Sequence, residues 1–195
     1  VLALIIRTGW LGFPDASYGV LAALALMGRR QALVALFLSW FFTMLNYFLF
    51  PWLPYGFIGR FLVIGAAAVS VLAAARHDWK QLWHPFSVAT LLVGLYAAIH
   101  ALFISPYPLV SLLKLGAWIA TVFSLFHAWY GLELPRRRQV ADLLYWCLTV
   151  IAVASVFYVG KTSGYELNRF GFQGVLNHPN GFGITMALLG AWSFG

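Results

Sequence analysis

Residues 57–75 read FIGRFLVIGAAAVSVLAAA, nineteen positions with a single charge, Arg60. As a helix this run is about 28 Å long, close to the hydrocarbon thickness of a bilayer. Polar and apolar positions do not alternate along it, as they would in a barrel strand with one face to lipid and one to a lumen. In lipid every backbone N–H and C=O has to be satisfied internally, and for an isolated run of this kind a helix does that.

The same pattern recurs at residues 32–50, 86–104, 109–129 and 140–159. A weaker run at 10–27 contains Pro14 and Asp15, and another begins at Gly181. The expectation is an all-α, polytopic integral membrane protein with about six to seven transmembrane helices, forming one helical domain over 1–195. Composition agrees: the 195 residues are 63% hydrophobic and 9% charged, against about 25% charged in a soluble domain. The opening VLALII reads as the end of an apolar segment and the closing ITMALLGAWSFG as one that stops partway. The chain therefore reads as a piece truncated at both ends. The lone Cys147 excludes an internal disulfide or a cysteine metal cluster.

The net charge of +7 does not point to nucleic acid, because the basic residues sit between apolar runs. GRRQ (28–31), RHDWKQ (76–81) and PRRRQ (135–139) fall in alternate connections and hold seven of the twelve Lys and Arg. The positive-inside bias makes those connections cytoplasmic. PWLPYG (51–56), SPYP (105–108) and the long connection 160–180 then lie outside. Trp52, Tyr55, Trp79, Trp83, Tyr107, Trp129 and Tyr130 fall near span ends, where interfacial aromatics collect.

With this topology Arg60, His100, Lys114, Lys161, Arg169 and His178 run against the bias, at or just below the outer face. Ionisable groups inside spans are costly and mark candidate sites. Cations gathered at one face suit an anionic ligand such as a lipid-linked phosphate or diphosphate. Each has a plainer reading too. Lys114 can snorkel to the interface, His100 can hydrogen-bond a neighbouring helix, and Arg60 can anchor its span. His127 reads as structural, and Arg136, Arg137 and Arg138 as a topology and anionic-lipid anchor. Asp142 is expected in the first turn of its helix, where a negative charge suits the dipole. No GxxxxGK, HExxH or CxxC is present. No metal and no cofactor is expected.

One polar stretch stands apart: NRFGFQGVLNHPNGFG, 168–183. Gly171, Gly174, Gly181 and Gly183 permit tight turns and close approach. Pro179 suits the first turn of a helix, and Asn177, His178 or Asn180 can cap it. The N–H groups of such a helix start favour an anion, and Arg169 offers a bidentate grip on phosphate. A capped helix entry and a ligand site explain these features about equally.

The stretch NRFGFQGVLNHPNGFGITMALL resembles the bacterial O-antigen ligase and O-antigen polymerase family, membrane enzymes of surface-polysaccharide assembly. The resemblance rests on Arg169, then Gly171 and Phe172, then His178, Pro179 and Asn180, followed by Gly183 in small residues that open a helix. It is specific over roughly these twenty positions, and the preceding spans match only in character. It implies an enzyme in the bacterial cytoplasmic membrane, active at its outer, periplasmic face. Such an enzyme transfers a polyprenyl-diphosphate-linked glycan to a growing chain or to a lipid A-core acceptor. Arg169 would hold the diphosphate, with Lys114, Arg60 and His100 as further candidates, and the partners are the carrier, the acceptor and membrane lipids, not nucleic acid. The resemblance also places the catalytic residues beyond Gly195, so the piece alone is expected to be inactive. The rival reading is a polytopic transporter or flippase for a lipid-linked or anionic solute, which would show interrupted helices and a site near the midplane.

Overall fold

The computed structural model describes residues 1–9, 12–76, 82–165 and 171–194. Trp10, Trp79, Lys80, Asn168 and Arg169, all part of the sequence reading, lie outside the described residues. The described elements are helices joined by turns and loops: α1 (Leu2–Arg7), α2 (Ala16–Ala25), α3 (Arg29–Met44), α4 (Gly56–Ala75), α5 (Pro85–Phe103), α6 (Pro108–Tyr130), α7 (Leu134–Val156) and α8 (Pro179–Phe194). Among the described residues no strand forms, and β pairing is limited to two isolated bridges, Leu45 with Leu176 and Tyr165 with Phe172.

Four helices, α4 to α7, are long and apolar enough to cross a membrane, and α2 is a shorter apolar helix. The protein is therefore an all-α polytopic membrane protein. Proline opens α5, α6 and α8 at the first helical position, where its missing N–H costs nothing and its φ is already helical. Two boundaries differ from the sequence reading. The basic run Arg136, Arg137 and Arg138 is not a connection but forms the first turns of α7, which begins at Leu134. Asp142 consequently sits in the third turn, not the first, too far along for the dipole argument. The apolar run 32–50 is helical only as far as Met44, where polar groups from elsewhere in the chain take up its last carbonyls.

The chain divides into two compact units. One comprises Tyr18–Ser39 and Phe57–Glu133. Its core is a stripe of α4 (Val63, Ala67, Val71 and Ala75) together with Tyr18, Leu21, Ala22 and Ala25 of α2, all buried. Tyr18 packs on Gly59, where a Cβ would lie 2.4 Å from the tyrosine ring. Helices α5 and α6 form a closely packed hairpin. Small buried residues of α5 (Ser87, Thr90, Gly94 and Ala101) let the partner backbone approach. Arg29 closes the C-terminus of α6 by donating from Nη1 to the carbonyl of Gly131 at 3.0 Å, a favourable place for a cation.

The other unit comprises Val1–Ser17, Trp40–Gly56 and Leu134–Gly195. It holds α1, the end of α3, α7, the loop that follows α7, and α8. Its buried centre is polar as well as apolar, with Arg7, Asn46, Ser155, Gln173 and Thr185 all below one-tenth exposed.

Candidate functional site

Two groups of residues concentrate the chemistry, one in each unit. The first is a cleft of about 320 Å³ between α4 and α6. Each helix presents the i, i+3, i+4, i+7 face to it: Phe57, Arg60, Phe61 and Ile64 from α4, and Lys114, Ala117, Trp118 and Thr121 from α6. Arg60 and Lys114, 54 positions apart in sequence, thus share one mouth. Arg60 is half-buried and Lys114 exposed. No carboxylate lines the cleft, and neither cation has a hydrogen-bond or ionic partner among the described residues. Both lie toward the N-terminal ends of their helices, whose first turns carry no acidic residue. His100, in the last turn of α5, is exposed and does not line this cleft.

The second group is the loop leading into α8. After α7 the chain turns through Thr162–Gly164, and the carbonyl of Gly164 accepts from the N–H groups of Gln173 and Gly174. Gly174 has φ +58°, and a Cβ there would meet the Ser155 side chain at 2.3 Å, so conformation and space both require glycine. Ser155 Oγ accepts from the N–H of Val175 at 3.2 Å. Tyr165, Phe172 and Phe182 stack edge to face in series, at 5.4 and 5.2 Å between ring centres. Lys161 lies over the ring of Tyr158, 5.4 Å from its centre.

This loop docks on the end of α3. Asn46, fully buried, donates from Nδ2 to the carbonyls of Ser163 (2.8 Å) and Gly174 (3.2 Å), and its Oδ1 accepts from the N–H of Phe48 (2.9 Å). Its own N–H donates to the carbonyl of Val175 at 2.9 Å. The last carbonyls of a helix have no partner within it, and three of those of α3 are taken up from elsewhere in the chain. Arg7 donates to Phe42 O, the side chain of Asn177 to Thr43 O at 3.0 Å, and the N–H of Asn177 to Met44 O at 2.7 Å. A second nitrogen of Arg7 donates to Pro51 O at 2.9 Å.

The polar stretch therefore divides its work. Asn177 closes α3, while His178 opens α8, its Nδ1 accepting from the N–H of Asn180 at 3.1 Å. Asn180 is exposed within the first turn. Gly171 and Gly181 are contact points, since a Cβ on either would lie 2.4 Å from Pro179 or Met44 respectively. Gly183 meets nothing within 4 Å. Arg7 and Asn46 escaped the sequence reading. The signal available was a polar side chain in an otherwise apolar run, LNYFLF at 45–50, ahead of the paired prolines Pro51 and Pro54.

A third polar pair sits at the α5–α6 seam, where Ser87 Oγ and His127 Nε2 are 2.7 Å apart and both buried. His127 also packs against Phe123 and Phe126. No cavity adjoins the pair among those described, and it serves as an interhelical hydrogen bond. No cluster of His, Cys, Asp or Glu among the described residues could hold a metal. No known protein family, curated protein or solved structure matches the chain.

Proposed function

We propose that the chain is part of a membrane glycan transferase acting on a polyprenyl-diphosphate-linked oligosaccharide at the outer face of the bacterial cytoplasmic membrane, in polymerisation or ligation of surface polysaccharide. The observation that carries this reading is the pair of cations, Arg60 and Lys114, in one aromatic-walled cleft, neither with a partner among the described residues. An unpaired charge at membrane depth is costly, and an anionic ligand relieves that cost. In the proposed reaction the diphosphate is the leaving group, and cations placed where its charge develops lower the barrier electrostatically. Arg169, by the resemblance of its stretch to O-antigen ligases and polymerases, would grip the diphosphate; Arg60 and Lys114 are proposed as cations for an anionic group at their own cleft. His100 keeps only a peripheral part, since it lies outside the cleft lining. The acceptor would be a growing glycan or a lipid A-core.

The test is Arg169→Ala in the full-length protein, read as the glycan ladder from whole cells with membrane insertion measured in parallel. Loss of the ladder by at least about 100-fold, the scale for removing one transition-state donor, is expected. An unchanged ladder at normal expression overturns the assignment. One observation favours a second reading, a transporter or flippase: α3 stops at Met44 and its carbonyls are met by the residue two positions before α8, as at interrupted helices of transporters. Flux of a lipid-linked glycan across proteoliposomes without any transfer would favour that rival.

A further inference from the structure

The α4–α6 cleft has a polarity gradient along its length. At its mouth are Arg60 and Lys114. One turn farther into α6 stands Trp118, about 6 Å beyond Lys114 along the axis, and Thr121 lies about 10 Å beyond Lys114. On α4 the corresponding step runs from Arg60 through Phe61 to Ile64. The lining is therefore cationic at one end and almost wholly hydrocarbon and aromatic at the other. Phe57 and Trp118 remain 57% and 44% exposed, so the side of the cleft is open to the surrounding lipid as well as at its mouth.

A snorkelling cation lifts its head out of the apolar zone and leaves no cavity beneath it. Here the half-buried Arg60 and the exposed Lys114 instead border a common hollow, with no carboxylate among the described residues that line it. Two like charges bordering one hollow repel each other, and an anion between them relieves that repulsion. The volume, about 320 Å³, corresponds to roughly ten waters. That is room for one phosphate and the first carbons of one chain, and too little for a glycan.

We infer that this cleft is a seat for one lipid phosphate taken sideways from the membrane, with the phosphate between Arg60 and Lys114 and the hydrocarbon chain along Phe61, Ile64 and Trp118. This rests on the proposed function only in that a carrier lipid would be one such ligand. A glycerophospholipid of the same leaflet presents the same chemistry, a phosphate on a hydrocarbon chain.

Native mass spectrometry of the whole chain, released from detergent after incubation with defined ligands, tests the seat. Phosphatidylglycerol and farnesyl phosphate are the lipid phosphates, diacylglycerol is the lipid without phosphate, and inorganic phosphate is the head without a chain. Retention of one lipid phosphate per chain is expected, with diacylglycerol and inorganic phosphate retained at least tenfold less. Arg60→Gln combined with Lys114→Gln should lower retention about tenfold, while Arg60→Lys combined with Lys114→Arg restores it and guards against misfolding. Preference for farnesyl phosphate over phosphatidylglycerol assigns the seat to a single-chain carrier, and the reverse to a resident phospholipid. Equal retention by the double Gln variant, equal retention of diacylglycerol, or displacement by inorganic phosphate alone overturns the inference. Absent lipid retention together with a ladder still lost in Arg169→Ala removes the seat and leaves the transferase reading standing. The opposite pair of results does the reverse.

Discussion

At the scale of single residues, the interior of one unit is decided by Asn46. A short amide in an apolar run is costly to bury unless its donors and acceptor are all used. Asn46 uses both, donating to Ser163 O and Gly174 O while accepting from Phe48 N. Asn46→Ala removes the partner of two carbonyls and one N–H around a side chain that is itself fully buried. Unsatisfied buried groups of this kind cost about 1–3 kcal/mol each, less where the chain relaxes, so a loss of about 2–3 kcal/mol is expected. Thermal unfolding in detergent checks it: the midpoint should fall by several degrees while helix content at low temperature is unchanged. A midpoint equal to the parent would mean that the loop is held by Asn177 and Arg7 without Asn46.

At the scale of elements, the long spans were legible because a bilayer helix is specified by a continuous apolar run of known length. Runs 57–75, 86–104 and 109–129 differ from α4, α5 and α6 by a residue or so at each end. What was not legible was where helices stop for tertiary reasons. The run 32–50 continues apolar past Met44, but α3 ends there, where Arg7 and Asn177, 35 and 134 positions away from their acceptors, supply the donors. The start of α7 was missed for a converse reason, since arginines were read as a connection although they are good helix formers. The dipeptide His-Pro was an underused local signal. Both His84 and His178 accept, through Nδ1, the N–H two residues on, at 3.2 and 3.1 Å, ahead of a proline at the first helical position. Of the candidate site, the pairing of Arg60 with Lys114 was legible only as membership of one face, and the exclusion of His100 was not.

The α5–α6 hairpin gives the element scale its own test. A Cβ at Gly94 would lie 2.6 Å from Ile119 Cδ1, whereas one at Gly116 meets nothing within 4 Å. Gly94→Ile should therefore force the helices apart at a cost of about 1–3 kcal/mol, and Gly116→Ile should stay within about 0.5 kcal/mol of the parent. Thermal midpoints of the two variants, measured side by side, decide it. Equal midpoints would mean that the helices are not held by close approach at Gly94.

At the scale of the whole molecule, function depends on which membrane face each connection occupies. Helix α7 has 23 residues, Leu134–Val156, about 35 Å at 1.5 Å per residue, so it reaches from one face of a bilayer to the other. Arg136 lies exposed in its first turn and Lys161 exposed just past its end. If the triple-arginine end is cytoplasmic, as the positive-inside bias predicts, Lys161 and the loop into α8 lie outside, on the side where the proposed lipid-linked glycan would be used. Cys147, the single cysteine, can be replaced by serine so that introduced cysteines report alone. In that background Lys161→Cys should react with a membrane-impermeant maleimide in intact cells, and Arg136→Cys only after the membrane is opened. The reversed pattern would place the loop into α8 in the cytoplasm and remove the proposed transfer reaction from this chain. Labelling of both sites in intact cells would mean that α7 does not span the bilayer.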